Sequence, residues 1–399
     1  MKRSERTLVT IFLLFSMAFL SSIFAVQGSL LTAMIEGFHL DSGRQGLANT
    51  VAFAGGIIAL VGSFALQGRQ KKRTLLKIAV SICTAGLAGL WLAPTFPLYV
   101  AAWFVVGFGL GLMDTLLSAC MADLYTGKTA VMMMCLLHTS NGLASVLAPI
   151  GYAALLNAGL SWKTVYMVIG LAGLGILAAA LLVRHVCHVS DNELLVPQNI
   201  SPARILPALH KAQLMWLAVS VFFHGIFLSG LNTWVNRYTE LLADGVTFPA
   251  QSCVFLGLML SRLLMPFLPI KAERYVVSGG FLGCIALVVG LLFPGGWPLR
   301  ILLMLSSLMF GALLPCVVTL GCERHRSNTL LATTGVMLAL YLGQGVSSPL
   351  IAWLEGLFNL RAGMYLCAVC MALCSLCCLI DALTVKKSAN CKSTENLSV

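Results

Sequence analysis

GFGLGLMDTLLSACMADLY, residues 107–125, sets the carboxylate of Asp114 among glycine, leucine and methionine, more than ten residues from the nearest Lys or Arg on either side. A run this apolar is hidden either in a soluble core or in lipid, and the rest of the chain decides which. Of 399 residues, 59% are hydrophobic and 10% charged, and the mean hydropathy is +0.93. Soluble domains carry about 25% charged residues, and a soluble core does not hide this much apolar surface. Lipid hides it instead, in repeated stretches of about 20 apolar residues. The chain reads as a polytopic membrane protein.

Apolar runs and their breakers predict twelve spans, at 7–34, 43–67, 74–93, 98–124, 128–157, 162–184, 212–237, 248–269, 273–293, 298–321, 328–356 and 361–383. Short loops such as APTFP (93–97) and FPGGWP (293–298) interrupt the runs at Pro and Gly, as turns do. All spans are expected to be helices, since lipid offers no partners to an open sheet edge. The apolar stretch within Met1–Gln27 is too long for a signal-peptide core and SIFAVQ lacks a small-x-small cleavage site, so it reads as the retained first span.

Lys and Arg set the orientation. With the N-terminus inside, only Arg44, Lys163, Arg237, Arg300 and Arg361 of the 25 basic residues fall outside. That bias follows the positive-inside rule and places both termini in the cytoplasm. The net charge of +11 therefore reports orientation and gives no reason to expect a nucleic-acid partner. The polar stretch 185–211 divides the spans six and six. The expected organisation is a bundle over 1–184, a cytoplasmic linker over 185–211, a second bundle over 212–384 and a cytoplasmic tail over 385–399. The halves repeat faintly at an offset near 200 residues: GLMD (111–114) faces GALL (311–314), and Pro149 faces Pro349, each preceded by a glycine, Gly142 and Gly343. Internal symmetry of this kind marks transporters built from two related bundles.

Twelve spans, six plus six, with a basic loop after the second, resemble the major facilitator superfamily over essentially the whole chain. Within it, three stretches are most similar to fucose-permease-like sugar–proton symporters. GFGLGLMDT resembles the fourth-span G-x-G-x-x-E-T, with Asp114 at the acid. HTSNGLASVLAP (138–149) resembles the fifth-span H-x-x-x-G-x-x-x-x-x-x-P, and FLGLMLSRLL (255–264) the eighth-span F-x-x-G-L-x-x-G-R-L-L, with Ser261 at the second glycine. The resemblance implies the major facilitator fold and transport of a polar solute with a proton. Two departures stand out. The loop signature after the second span appears as GSFALQGRQKKR (62–73) without its acid. The first span carries Gln27 and Gly28 where fucose permease has an aspartate.

Asp114 is the sharpest single signal. A charge at the centre of a span costs about 2.5–3.5 kcal/mol on insertion scales, and Leu314 shows that the matching position of the other half does without one. A carboxyl there suits proton uptake and release during transport; the alternative is a hydrogen-bonded packing residue. His138 lies at matching depth on the next, antiparallel span, at about 1.5 Å per residue, and is the candidate partner in proton coupling; alternatively it is a structural histidine. Gln27, Asn49, Asn141, His224, Asn232, Trp234, Asn236, Tyr341 and Gln344 are the candidate solute-binding residues. Amides and hydroxyls offer both donors and acceptors to a neutral polar solute. Trp234 is read equally as a stacking platform and as an interface anchor. The first-half midplane has no Lys or Arg, which argues against a phosphate or dicarboxylate cargo, and Arg237 and Arg262 read as snorkelling at span ends.

No cofactor and no metal is expected. HVCH (185–188) is too sparse for a site. The cysteines of CAVCMALCSLCC (367–378) follow one helical stripe, which suits packing and cannot wrap a zinc ion. No nucleotide-binding loop and no soluble domain large enough for an enzyme is present. The sequence thus points to a monomeric secondary transporter of the inner (plasma) membrane, with lipid, a proton and a small polar solute, such as a sugar, as its partners. An exporter of amphipathic compounds by proton antiport, with which VMMMC (131–135) is compatible, remains open. So does a non-transporting membrane sensor or assembly factor.

Overall fold

The computed structural model describes residues 3–41, 43–66, 72–125, 127–182, 214–324 and 329–395. These are all-helical: α1 (Arg3–Ser29), α2 (Leu31–Phe38), α3 (Leu47–Leu66), α4 (Lys72–Leu92), α5 (Phe96–Leu124), α6 (Gly127–Asn157), α7 (Trp162–Leu182), α8 (Met215–Leu241), α9 (Ala250–Leu264), α10 (Ala272–Leu292), α11 (Gly296–Phe310), α12 (Leu313–Arg324), α13 (Thr329–Leu357) and α14 (Leu360–Glu395). Ten stretches of the described residues are long and apolar enough to cross a membrane, α11 and α12 together forming one of them. Two shorter apolar helices, Leu47–Gly62 and Ala250–Leu264, stand where the second and eighth spans are predicted. Large apolar side chains face outward, among them Phe267 (84% exposed) and Leu182 (82%), a surface that only lipid satisfies.

Three predicted spans depart from a single straight helix. The first breaks at Leu30, after which α2 packs into an aromatic cluster of Phe38, Phe96, Tyr99 and Trp162. The eighth ends at Leu264 and turns through a single 3-10 segment, Met265–Phe267, around Pro266. The tenth is divided at Gly311–Ala312. Pro315 has no N–H to offer the carbonyl of Gly311, so the ladder fails there. The expected tail over 385–399 is helical through Glu395, since TVKKSANCKSTE (384–395) contains neither Gly nor Pro to stop α14. The linker expected at 185–211 and its HVCH lie outside the described residues, as do residues 67–71 of the basic loop.

Packing within each half relies on close backbone approach, since lipid removes the hydrophobic drive between helices. Gly107 and Gly111 share one face of α5 and press on Ala52 and Gly56 of α3, while Gly109 turns to Cys83 on α4. In the other half Gly225 meets Leu340, and Gly343 meets Phe222, across α8 and α13. At the start of α11, Gly295 and Gly296 adopt φ of 127° and 78°, which a side chain would strain. The halves touch along α3–α13, α6–α9 and α1–α8.

Candidate functional site

The glycine contacts of α5 fix where Asp114 points. It continues the Gly107–Gly111 stripe one turn further along, toward α3 and the second half. Tyr341 of α13 reaches the same place: its ring lies against Gly56, with a Cβ there 2.7 Å from Cε1, and edge-on to Phe53 at 5.9 Å. Asp114 and Tyr341 are within electrostatic reach of each other, and both retain partial exposure although they lie between the halves.

Arg262 of α9 lies within electrostatic reach of the same carboxylate. Its Nε donates to the carbonyl of Gly311 at 3.3 Å, the acceptor that Pro315 leaves vacant. The N–H of Ala312, freed at the same break, donates to Ser261 Oγ (3.0 Å) and to Tyr275 Oη (3.1 Å), which bond each other at 2.8 Å. The divided helix is therefore satisfied by side chains from α9 and α10. This corrects the expectation that Arg262 snorkels at a span end: the eighth span stops at Leu264, and the guanidinium turns inward to a broken helix. Arg262 is in electrostatic reach of Asp114, His138 and His224. Asp114 and His138 make no direct hydrogen bond or ion pair with each other among the described residues; the two share Arg262 as their neighbour. The signal for Arg262 was the motif SRLL; its partner, 49 residues away at the break of the tenth span, was invisible.

Several other candidates form a seal. Hydrogen bonds between described residues of the two halves gather at the end remote from the N-terminus. Gln251 is its centre. Its Oε1 accepts from Asn236 Nδ2 (3.0 Å) and from Ser29 Oγ (2.9 Å), and its Nε2 donates to the Ala25 carbonyl (2.9 Å) and to Asn232 Oδ1 (2.8 Å). Asn232 also donates to the Phe24 carbonyl at 3.2 Å. Asn49 donates to Ser229 Oγ and to the Gln344 carbonyl, Thr50 to the Gly345 carbonyl, and Ser252 to the Val146 carbonyl. In this conformation Asn49 and Asn232 bond across the halves, while Asn236 holds Gln251 in place through its Nδ2 and Oδ1. Gln251 and Ser252 were missed because α9 was read as apolar.

Trp234 is wholly buried and donates to Ser348 Oγ at 3.2 Å, so here it is neither an open stacking face nor an interface anchor. His224 is also wholly buried, its ring 5.0 Å from that of Phe310, and neither ring nitrogen has a described partner. Gln27 and Asn141 are partly exposed and Gln344 is buried. Cys367, Cys370, Cys374 and Cys377 are buried in α14, with Cys367 packed on Gly230.

Beyond the seal, Arg300 stitches down the loop between α8 and α9. It donates to Asp244 Oδ2 (2.6 Å) and to the carbonyls of Phe248 and Val246 (2.9 Å each). Asp244 also accepts from the N–H groups of Gly296 and Val246. Burial opposes the Asp244 charge, but Arg300 and these N–H groups outweigh it and hold the carboxyl below its usual range. The clamp positions Pro249 and hence Gln251. It borders an outer cavity of about 360 Å³ lined in part by Asn157, Asn236, Glu240 and Thr247.

The sequence profile described as Major Facilitator Superfamily matches residues 10–330. The chain belongs to the Major Facilitator Superfamily. Proteins of this superfamily are membrane transporters. The chain is 22% identical over 376 residues to Protein TsgA of Salmonella heidelberg (strain SL476), spanning 88% of this chain and 90% of that protein. Its fold is similar to that of a bacterial homolog of the human lysosomal transporter Spinster in an inward-facing, unoccupied conformation, with a TM-score of 0.74, 15% identity, and coverage of 97% and 99% of the two chains. It is also similar to the E. coli fucose:proton symporter FucP, with a TM-score of 0.64, 14% identity, and coverage of 94% and 97%. The superfamily resemblance read from the sequence is thus shown, and FucP is among the structural neighbours.

Proposed function

We propose that this protein is a secondary transporter that carries a small polar solute, of the size and polarity of a sugar, across the inner membrane by alternating access, coupled to a proton held by Asp114. The observation that carries this reading is the one-sided seal. The hydrogen bonds between described residues of the two halves gather on one side of Asp114, Arg262 and Tyr341. Two bundles hydrogen-bonded to each other at one end, beside a polar cluster, suit rocking about that cluster. With twelve spans and both termini in the cytoplasm, as the Lys and Arg bias implies, the sealed end faces outward. His138, exposed and within reach of Arg262, serves as the second proton-coupling group.

The test is flux in proteoliposomes made from the purified protein, with and without an imposed pH gradient. Saturable, gradient-driven uptake of a polar solute is the expected result. Solute binding without flux in either direction would assign the protein to sensing instead.

A further inference from the structure

Arg262 is only partly used. Of the five donors of a guanidinium, Nε alone has a described partner, the Gly311 carbonyl at 3.3 Å. The Nη1–Nη2 edge has none among the described residues, and the side chain retains partial exposure. Helix packing places Arg262 near the contact between the bundles. Gly142 of α6 meets Met259 of α9, a Cβ at 142 lying 2.7 Å from Met259 Cγ. The two helices run antiparallel, so one turn past that contact brings His138 and Arg262 to the same level. Asp114 of α5 stands within electrostatic reach of Arg262 but makes no ion pair with it among the described residues.

The other titratable groups near Arg262 are His138 on α6, His224 on α8 and Tyr275 on α10, while Tyr341 on α13 faces Asp114. Asp114 is therefore the one described carboxylate that faces the guanidinium. An uncompensated cation between membrane helices is costly. When Asp114 takes a proton, Arg262 loses its compensating charge, and an anion in the gap restores it. A planar carboxylate fits the free edge, accepting two parallel N–H bonds.

Resting on the transport reading above, we propose that Arg262 recognises the solute, and that the solute is a small hydroxylated monocarboxylate, of the sugar-acid class, held end-on by Nη1 and Nη2 while Asp114 carries the proton that travels with it. Proton and anion then bind cooperatively, because each removes the electrostatic penalty of the other. The loaded and empty sites have the same net charge, so the reorienting protein moves no net charge. This replaces the neutral cargo suggested by the lack of basic residues in the first half: the cation is supplied by the second.

The test uses full-length protein in liposomes with gluconate, lactate and glucose as probes. Gluconate uptake is expected to be saturable, driven by an inward proton gradient and unaffected by a potassium–valinomycin membrane potential, with glucose not carried. Arg262→Gln is expected to weaken apparent gluconate affinity about 10- to 100-fold, the value of charge-assisted hydrogen bonds. Arg262→Lys, which keeps the charge and loses the fork, should fall between and serves if the glutamine variant does not fold. Uptake of glucose without either carboxylate overturns the inference and leaves transport standing. Wild-type gluconate affinity in both variants overturns the role of Arg262. Flux of none of the three probes in either direction overturns the inference, and the transport reading then stands or falls on the flux of other polar solutes.

Discussion

Gly28 on α1 lies directly against the backbone of Asn232 on α8, so closely that a Cβ at position 28 would overlap the Asn232 carbonyl oxygen and approach Gln251 Nε2 at 3.1 Å. The neighbour is backbone in a buried helix and cannot step aside. Gly28 therefore lets one end of the molecule close.

Gly28→Ala is expected to hold that end open while leaving each bundle intact. Flux should fall about tenfold or more, as a shift of a few kcal/mol between two states produces. Hydrogen exchange of the 229–240 amides should rise, with a thermal midpoint close to that of the unsubstituted protein. Normal flux would show that the contact relaxes cheaply.

Gln251→Ala attacks the same closure from the other side. The variant loses the bonds to Ser29, Ala25, Asn232 and Asn236 and leaves buried polar groups unpaired. The closed state should weaken by about 1–3 kcal/mol, read as roughly 10- to 100-fold faster exchange of amides 24–32 and 229–240. Unchanged exchange would mean that water replaces the side chain.

Asp114→Asn keeps the shape and hydrogen-bonding capacity of the side chain but carries no titrating proton. Gradient-driven uptake in proteoliposomes should be abolished at normal protein levels. Uptake that remains linked to the pH gradient would remove Asp114 from the coupling.

The Arg300–Asp244 clamp makes a prediction about stability. Arg300 is 2% exposed and Asp244 6%, so Arg300→Ala strands a buried carboxylate and should cost about 3–5 kcal/mol, seen as a lower thermal midpoint. The pH dependence has a definite sign. The folded carboxyl of Asp244 is held below its usual value despite burial, chiefly by Arg300. Its stabilisation is therefore complete above the unfolded value of about 3.9 and is lost as the pH falls through the lower folded value. Acidification below about pH 4 should lower the thermal midpoint, and Asp244→Asn should flatten that part of the curve.

Sequence alone determined that this chain lives in lipid, because the bilayer demands long apolar runs and those are counted along one dimension. It also marked Asp114, since a carboxylate in such a run stands out wherever the helix packs. The tenth span, expected as one run over 298–321, breaks for a local reason: Pro315 withdraws the donor for a carbonyl one turn earlier. Only the tertiary structure decided what receives that carbonyl, because Arg262 lies on another helix. The same holds for Asn49, Asn232 and Asn236. Their polarity says that they avoid lipid, but whether they line a gap or seal it depends on the opposing bundle. Helical periodicity reports which face avoids lipid; the partner across that face is set by packing.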